Sequence, residues 1–116
     1  MKFRKHETLP DKQGYYRTLP VADLSPDKVS RLKVKDLDIL VTLYQGAVYA
    51  FSAYCPHAAG NLADGHLYRG RIDCPDHAYR FDIRSGEILW PDDESYCLKT
   101  YPTKIVDGAL LLKITD

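Results

Sequence analysis

Four side chains with metal-binding chemistry fall into two short pairs near the middle of the chain. Cys55-Pro56-His57 and Cys74-Pro75-Asp76-His77 are separated by the sixteen residues 58–73. A thiol and an imidazole two or three residues apart can converge on one metal site from a tight loop, and the proline in each pair fixes φ and lowers the entropy lost on ordering that loop. Two thiols and two imidazoles suit a tetrahedral zinc ion, and they equally suit a diiron-sulfur cluster of mixed ligation. Zinc fingers of the Cys2His2 kind place both cysteines together and both histidines together, whereas here each pair carries one of each. The interleaved order favours the cluster.

The pattern C-x-H, sixteen residues, C-x-x-H resembles that of the Rieske [2Fe-2S] proteins, and the similarity continues through Phe81-Asp82, Ser85-Gly86 and Tyr101-Pro102. The resemblance implies one [2Fe-2S] cluster per chain, with Cys55 and Cys74 on one iron and His57 and His77 on the other. It implies an all-β Rieske fold: a single domain over residues 1–116 whose antiparallel sandwich or barrel base carries a small inserted cluster-binding subdomain of hairpin loops, about residues 54–91. In the respiratory members each loop has an additional cysteine and the two form a disulfide. The matching positions here are Gly60 and Asp76, so no such bond can form.

Respiratory members also use a serine and a tyrosine after the second histidine as hydroxyl donors to the cluster, at positions that look like Tyr79 and Phe81 here. Phe81 has nothing to donate. Donors to sulfur raise a cluster's potential by stabilising its reduced form, so their loss points to the low end of the Rieske range, about −150 mV. Many relatives have glycine where this chain has Ala78; a positive φ there would store roughly 1 kcal/mol or more.

The family likeness therefore implies a soluble Rieske-type ferredoxin, an electron carrier and not an enzyme. Its implied partners are a flavin-containing NAD(P)H-dependent reductase on one side and a terminal oxygenase on the other. Two alternatives stay open: a small Rieske-like subunit of a larger oxidoreductase such as nitrite reductase, and a structural zinc module.

The elements that must position the four ligands read as strands and turns. Tyr15–Leu19, closed by Pro20, and the alternating Val29–Val34 are strand-like. Asp38–Tyr44 and Ala47–Phe51 flank Gln45-Gly46, a two-residue turn that delivers the chain to Cys55. Between the ligand pairs, glycines punctuate segments too short for an ordinary helix, with brief strands at His66–Tyr68 and Arg71–Cys74. Tyr79–Ile83 and Glu87–Trp90 flank Arg84-Ser85-Gly86, and Leu98–Val106 pairs with Ala109–Ile114 across Asp107-Gly108. The interval is all loops and hairpins, so its apolar core is expected to be small and the metal to supply much of its order.

The remaining residues of interest read as structural. His66 falls outside the ligand pattern, as a surface residue or one that supports a ligand from behind, and His6 reads as solvated. Cys97 is expected to pack as a small apolar residue in a strand. By resemblance Pro91 covers the cluster from a third loop, and the acidic run Asp92-Asp93-Glu94 after it reads as a solvated turn more than a docking patch. Met1–Lys12 reads as a frayed leader or a short edge strand.

Composition bounds the partners. The chain has 116 residues, with sixteen basic and sixteen acidic side chains, so no global field draws it to nucleic acid or to an anionic membrane. No apolar run is long enough to span a bilayer and no signal-like start is visible; with an odd cysteine count of three, this gives a cytoplasmic monomer as the expectation.

Overall fold

A computed structural model describes residues 9–57, 59–75 and 79–114. His6 and the start of the leader, and Asp76, His77 and Ala78 in the second ligand loop, lie outside the described residues.

The described residues form eleven strands: β1 (Tyr15–Pro20), β2 (Ser30–Val34), β3 (Leu37–Tyr44), β4 (Ala47–Ser52), β5 (His66–Tyr68), β6 (Arg71–Asp73), β7 (Arg80–Asp82), β8 (Ile88–Trp90), β9 (Thr100–Tyr101), β10 (Thr103–Val106) and β11 (Ala109–Lys113). They make three sheets, ordered β1-β11-β10, β2-β3-β4-β9 and β5-β6-β7-β8. Every named strand pair is antiparallel. The base is an open sandwich; the described strands close no barrel. No helix among the described residues is long and apolar enough to cross a membrane.

The middle sheet explains the layering. Successive side chains on a strand point to opposite faces, and β3 and β4 use both faces. Ile39 and Val41 of β3, with Val48 and Ala50 of β4, join Leu32, Val34, Leu110 and Leu112 in one core, between the middle sheet and the β1-β11-β10 sheet. Leu40 and Phe51, one position out of phase, join Leu62, Ile72, Phe81, Ile83 and Leu98 in a second core with Cys55 and Cys74. Register makes this consistent, because Val41 faces Ala50 and Leu40 faces Phe51 across the ladder. A strand buried on both faces needs an almost unbroken apolar run, and Ile39-Leu40-Val41 is one. Thr42, also fully buried, is accommodated by donating its hydroxyl to the Lys28 carbonyl at 2.7 Å.

Turn chemistry sets the register. Gln45-Gly46, Arg69-Gly70, Asp107-Gly108 and Lys35-Asp36 each have two successive residues at positive φ, the backbone of a type I′ turn whose twist matches the strands it joins. The last of these has no glycine. Glycine is indispensable at Gly86 for a different reason: at φ +81° a Cβ there would collide with the Leu98 carbonyl. Its amide bonds to the Asp82 carbonyl at 2.7 Å, and its carbonyl accepts from Leu98 at 2.8 Å, which ties the small sheet to the returning chain.

Two expectations need correction. The run Leu98–Val106 is not one strand, because Pro102 divides it: β9 pairs with β4 in the middle sheet, and β10 pairs with β11 in the other. The segment therefore crosses between layers, with Leu98 in one core and Tyr101 in the other. Cys97, expected to be packed in a strand, is exposed and forms only an isolated bridge with Glu87.

Candidate metal centre

The two ligand loops are closed in the same way. In the first, the Cys55 amide bonds to the Gly60 carbonyl five residues on, at 2.8 Å, and the Ala59 amide returns to the Cys55 carbonyl at 2.8 Å. In the second, the Cys74 amide bonds to the Tyr79 carbonyl, again five residues on, at 2.7 Å. Each cysteine is thus the last paired residue at the base of its loop, and His57 follows inside the first. Both thiols are inside the protein, at 2% exposure each, and share the second apolar core. His57 is half-buried and its Nδ1 is shielded from solvent.

The loops are brought together by packing. The His57 ring stacks on Tyr79 of the second loop, with centroids 4.0 Å apart and planes 11° from parallel. Tyr96, from the segment after Pro91, meets His57 edge-on at 5.4 Å and Tyr79 at 6.0 Å. The Tyr79 hydroxyl donates to Glu94 Oε1 at 3.3 Å. Burial, with the Glu94 carboxylate beside it, holds the Tyr79 phenol above its ordinary value, so it keeps the proton it donates. The segment after Pro91 touches His57 and Tyr79 through Tyr96 and Glu94. Asp92, Asp93 and Glu94 are exposed, as a solvated turn requires, and His66 is exposed too.

Supports extend into the base. Tyr54, next to Cys55, donates its hydroxyl to Asp38 Oδ2 at 2.8 Å and accepts from Arg31 Nη2 at 3.0 Å. The hydrogen bond from Tyr54, with Lys33 and Arg31 nearby, holds the Asp38 carboxyl below its ordinary value. In the small sheet, Asp82 accepts from the Arg84 amide at 2.8 Å and from Arg84 Nη2 at 3.1 Å. Burial pushes the Asp82 carboxyl up, and these bonds outweigh it, leaving the group below its ordinary value. The Phe81-Asp82 and Ser85-Gly86 pairs thereby acquire reasons: Phe81 fills the core under the thiols, Asp82 pins Arg84, and Gly86 permits the close approach of Leu98.

Of the four sequence-derived ligands, Cys55, His57 and Cys74 are placed; His77 falls outside the described residues. Among the described residues no three His, Cys, Asp or Glu side chains group around a single ion. The donor set suits a binuclear cluster: two buried thiols on separate loops, a shielded imidazole nitrogen, and no disulfide at any of the three cysteines. The second loop's Tyr79 was legible only as a lost hydroxyl donor. Its stacking partner lies 22 residues earlier (79 − 57), and no local pattern announces such a contact.

Comparison with known proteins agrees. The Rieske [2Fe-2S] domain family matches residues 14–102. The ferredoxin component of the naphthalene 1,2-dioxygenase/salicylate 5-hydroxylase systems of Ralstonia sp. is 34% identical over 92 residues, covering 79% of this chain and 88% of its own. The ferredoxin of carbazole 1,9a-dioxygenase from Nocardioides aromaticivorans IC177 superposes with a TM-score of 0.79 at 25% identity, over 87% of this chain and 98% of its own. A chain in the complex of reduced oxygenase and oxidized ferredoxin of carbazole 1,9a-dioxygenase shares the fold, with a TM-score of 0.77 at 20% identity over 90% of this chain and all of its own. The chain belongs to the Rieske [2Fe-2S] domain family, and its cofactor is a Rieske-type [2Fe-2S] cluster.

Proposed function

We propose that the chain is a one-electron carrier, a monomeric ferredoxin of the cytoplasm that accepts electrons from an NAD(P)H-dependent flavoprotein reductase and passes them to a terminal oxygenase. The observation that carries this reading is the pair of buried thiols at the bases of two identically closed loops, with the imidazole of one loop stacked on the other. When bound, the [2Fe-2S] cluster takes up and gives back one electron. Cys55 and Cys74 would hold one iron from the interior, and His57 and His77 would hold the other. Support for the partners comes from relatives named as ferredoxin components of dioxygenase systems and from the fold shared with a ferredoxin solved beside its oxygenase.

The residues also argue for the potential. A hydrogen-bond donor to a cluster sulfur favours the reduced, more negative form. Phe81 has no hydroxyl, and the Tyr79 hydroxyl is engaged by Glu94. The potential is therefore expected at the low end of the Rieske range, about −150 mV.

The test is composition and ligand replacement. Purified protein should carry two irons and two acid-labile sulfides per chain, as four ligands shared between two irons require. Replacing His77 with Cys adds a negative charge at the second iron and should move the potential toward about −400 mV, the value of all-cysteine plant-type clusters. An unchanged potential would remove His77 from the ligand set, and one zinc per chain without iron would overturn the carrier assignment.

A further inference from the structure

Three loops meet at His57, and one residue joins all three. Tyr79 stacks on the His57 ring at 4.0 Å, its carbonyl closes the second loop onto the Cys74 amide at 2.7 Å, and its hydroxyl reaches Glu94 of the third loop at 3.3 Å. Tyr96 completes the corner, edge-on to both rings at 71° and 63°. A ring held between a parallel face and a perpendicular edge has little freedom to rotate about its Cβ–Cγ bond. That torsion is otherwise broad. Offset-stacked and edge-on contacts are favourable arrangements of aromatic rings.

We propose that Tyr79 is a positioning residue for the His57 imidazole: it fixes the orientation of that ring, and it latches the Glu94–Tyr96 segment beside it through its hydroxyl. This rests on the ligand assignment above. The stack and the latch act separately. The stack sets ring orientation, and so the electronic coupling of that nitrogen to the cluster; the latch limits access of water and chelators to it.

The two roles predict different variants. Tyr79→Phe keeps the stack and removes the latch. It should leave the nitrogen hyperfine couplings in pulsed EPR of the reduced protein unchanged, while cluster release to an excess of EDTA quickens. Tyr79→Leu removes both. It should shift or broaden the hyperfine coupling of one imidazole nitrogen and speed release by roughly two- to tenfold, the range for loss of one aromatic pair. Tyr79→Trp, which restores an aromatic face, should recover the narrow coupling.

Holoprotein of Tyr79→Leu with couplings and release rate like those of the unmodified protein overturns the proposal. If that variant loads no cluster, Tyr96→Leu decides, because loss of the edge contact must broaden the same coupling; an unaltered spectrum there overturns the proposal as well. His57→Ala separates this from the ligand assignment. A cluster that keeps two coupled imidazole nitrogens in that variant defeats the assignment itself, whereas loss of one nitrogen together with a silent Tyr79→Leu defeats only the positioning role.

Discussion

The two cores of the molecule share the middle sheet and are built on different terms. The core between the middle sheet and the β1-β11-β10 sheet is lined by Leu, Val and Ile from strands of five to eight residues, such as β2, β3 and β11. The core beneath the ligand loops rests on strands β5 to β8, three residues each, and counts Cys55 and Cys74 among its buried members. The first can be held by hydrophobic burial, at roughly 1.5–3 kcal/mol per large aliphatic side chain. The second also buries large side chains, among them Leu40, Phe51, Leu62, Ile72, Phe81, Ile83 and Leu98, but it takes several of them from loops and three-residue strands with few ladder bonds, where metal ligation adds folding free energy. The ligand loops and the small sheet are therefore expected to draw part of their order from the cofactor, and the other core to hold without it.

The sharpest way to break this contrast is to remove the cofactor. Cys74→Ser should abolish cluster binding and, by hydrogen exchange, strip protection from amides of the small sheet such as Ile72 and Phe81, while Val41 and Leu110 stay protected. Uniform loss across both sheets would show that the cores are not separable. The converse substitution strikes the intrinsic core: Leu110→Ala, at a fully buried site, should cost about 2–5 kcal/mol in denaturant unfolding. It should destabilise apoprotein and holoprotein alike. A loss confined to the apoprotein would reverse the argument.

A smaller effect concerns pH in the small sheet. The Asp82 carboxyl is held below its ordinary value, so its contribution is present above the ordinary aspartate range near 4 and is lost as pH falls through the lowered folded value. Asp82→Asn should therefore be less stable than the unmodified protein at neutral pH, with the gap closing on acidification below about pH 4. Thermal unfolding across pH checks this, and a gap that widens in acid would contradict it. The smallest effect is in the base. Lys35 and Asp36 sit at φ 51° and 64° without a glycine, and Asp36→Gly should relieve strain and raise stability by about 0.5–1 kcal/mol, read as a higher Tm.

These contrasts also show what the sequence could disclose. The ligand pairs, the Gln45-Gly46 and Asp107-Gly108 turns and the strands around them are local patterns, and they reappear nearly residue for residue: His66–Tyr68 is a strand in both readings. The break at Pro102 was harder to see, because a proline at an edge and a proline between sheets look alike until the partners β4 and β11 are known. Lys35-Asp36 carries no glycine to mark its turn. Cys97 has the composition of a buried residue and is exposed because the chain at Glu94–Cys97 lies over the ligand loops outside any sheet. The Tyr79–His57 stack and the Tyr54–Asp38 bond join residues distant in sequence, and only folding brings them together.

The central claim is that Cys55, His57, Cys74 and His77 together hold one mixed-ligand cluster. Pulsed EPR of the dithionite-reduced protein tests it most directly, because it counts the nitrogens bound to the paramagnetic cluster. The account predicts two strongly coupled imidazole nitrogens, with an average g below that of an all-cysteine cluster, and one coupling lost in His57→Ala and one in His77→Ala. A reduced protein with no coupled nitrogen, or with couplings indifferent to both substitutions, would contradict it.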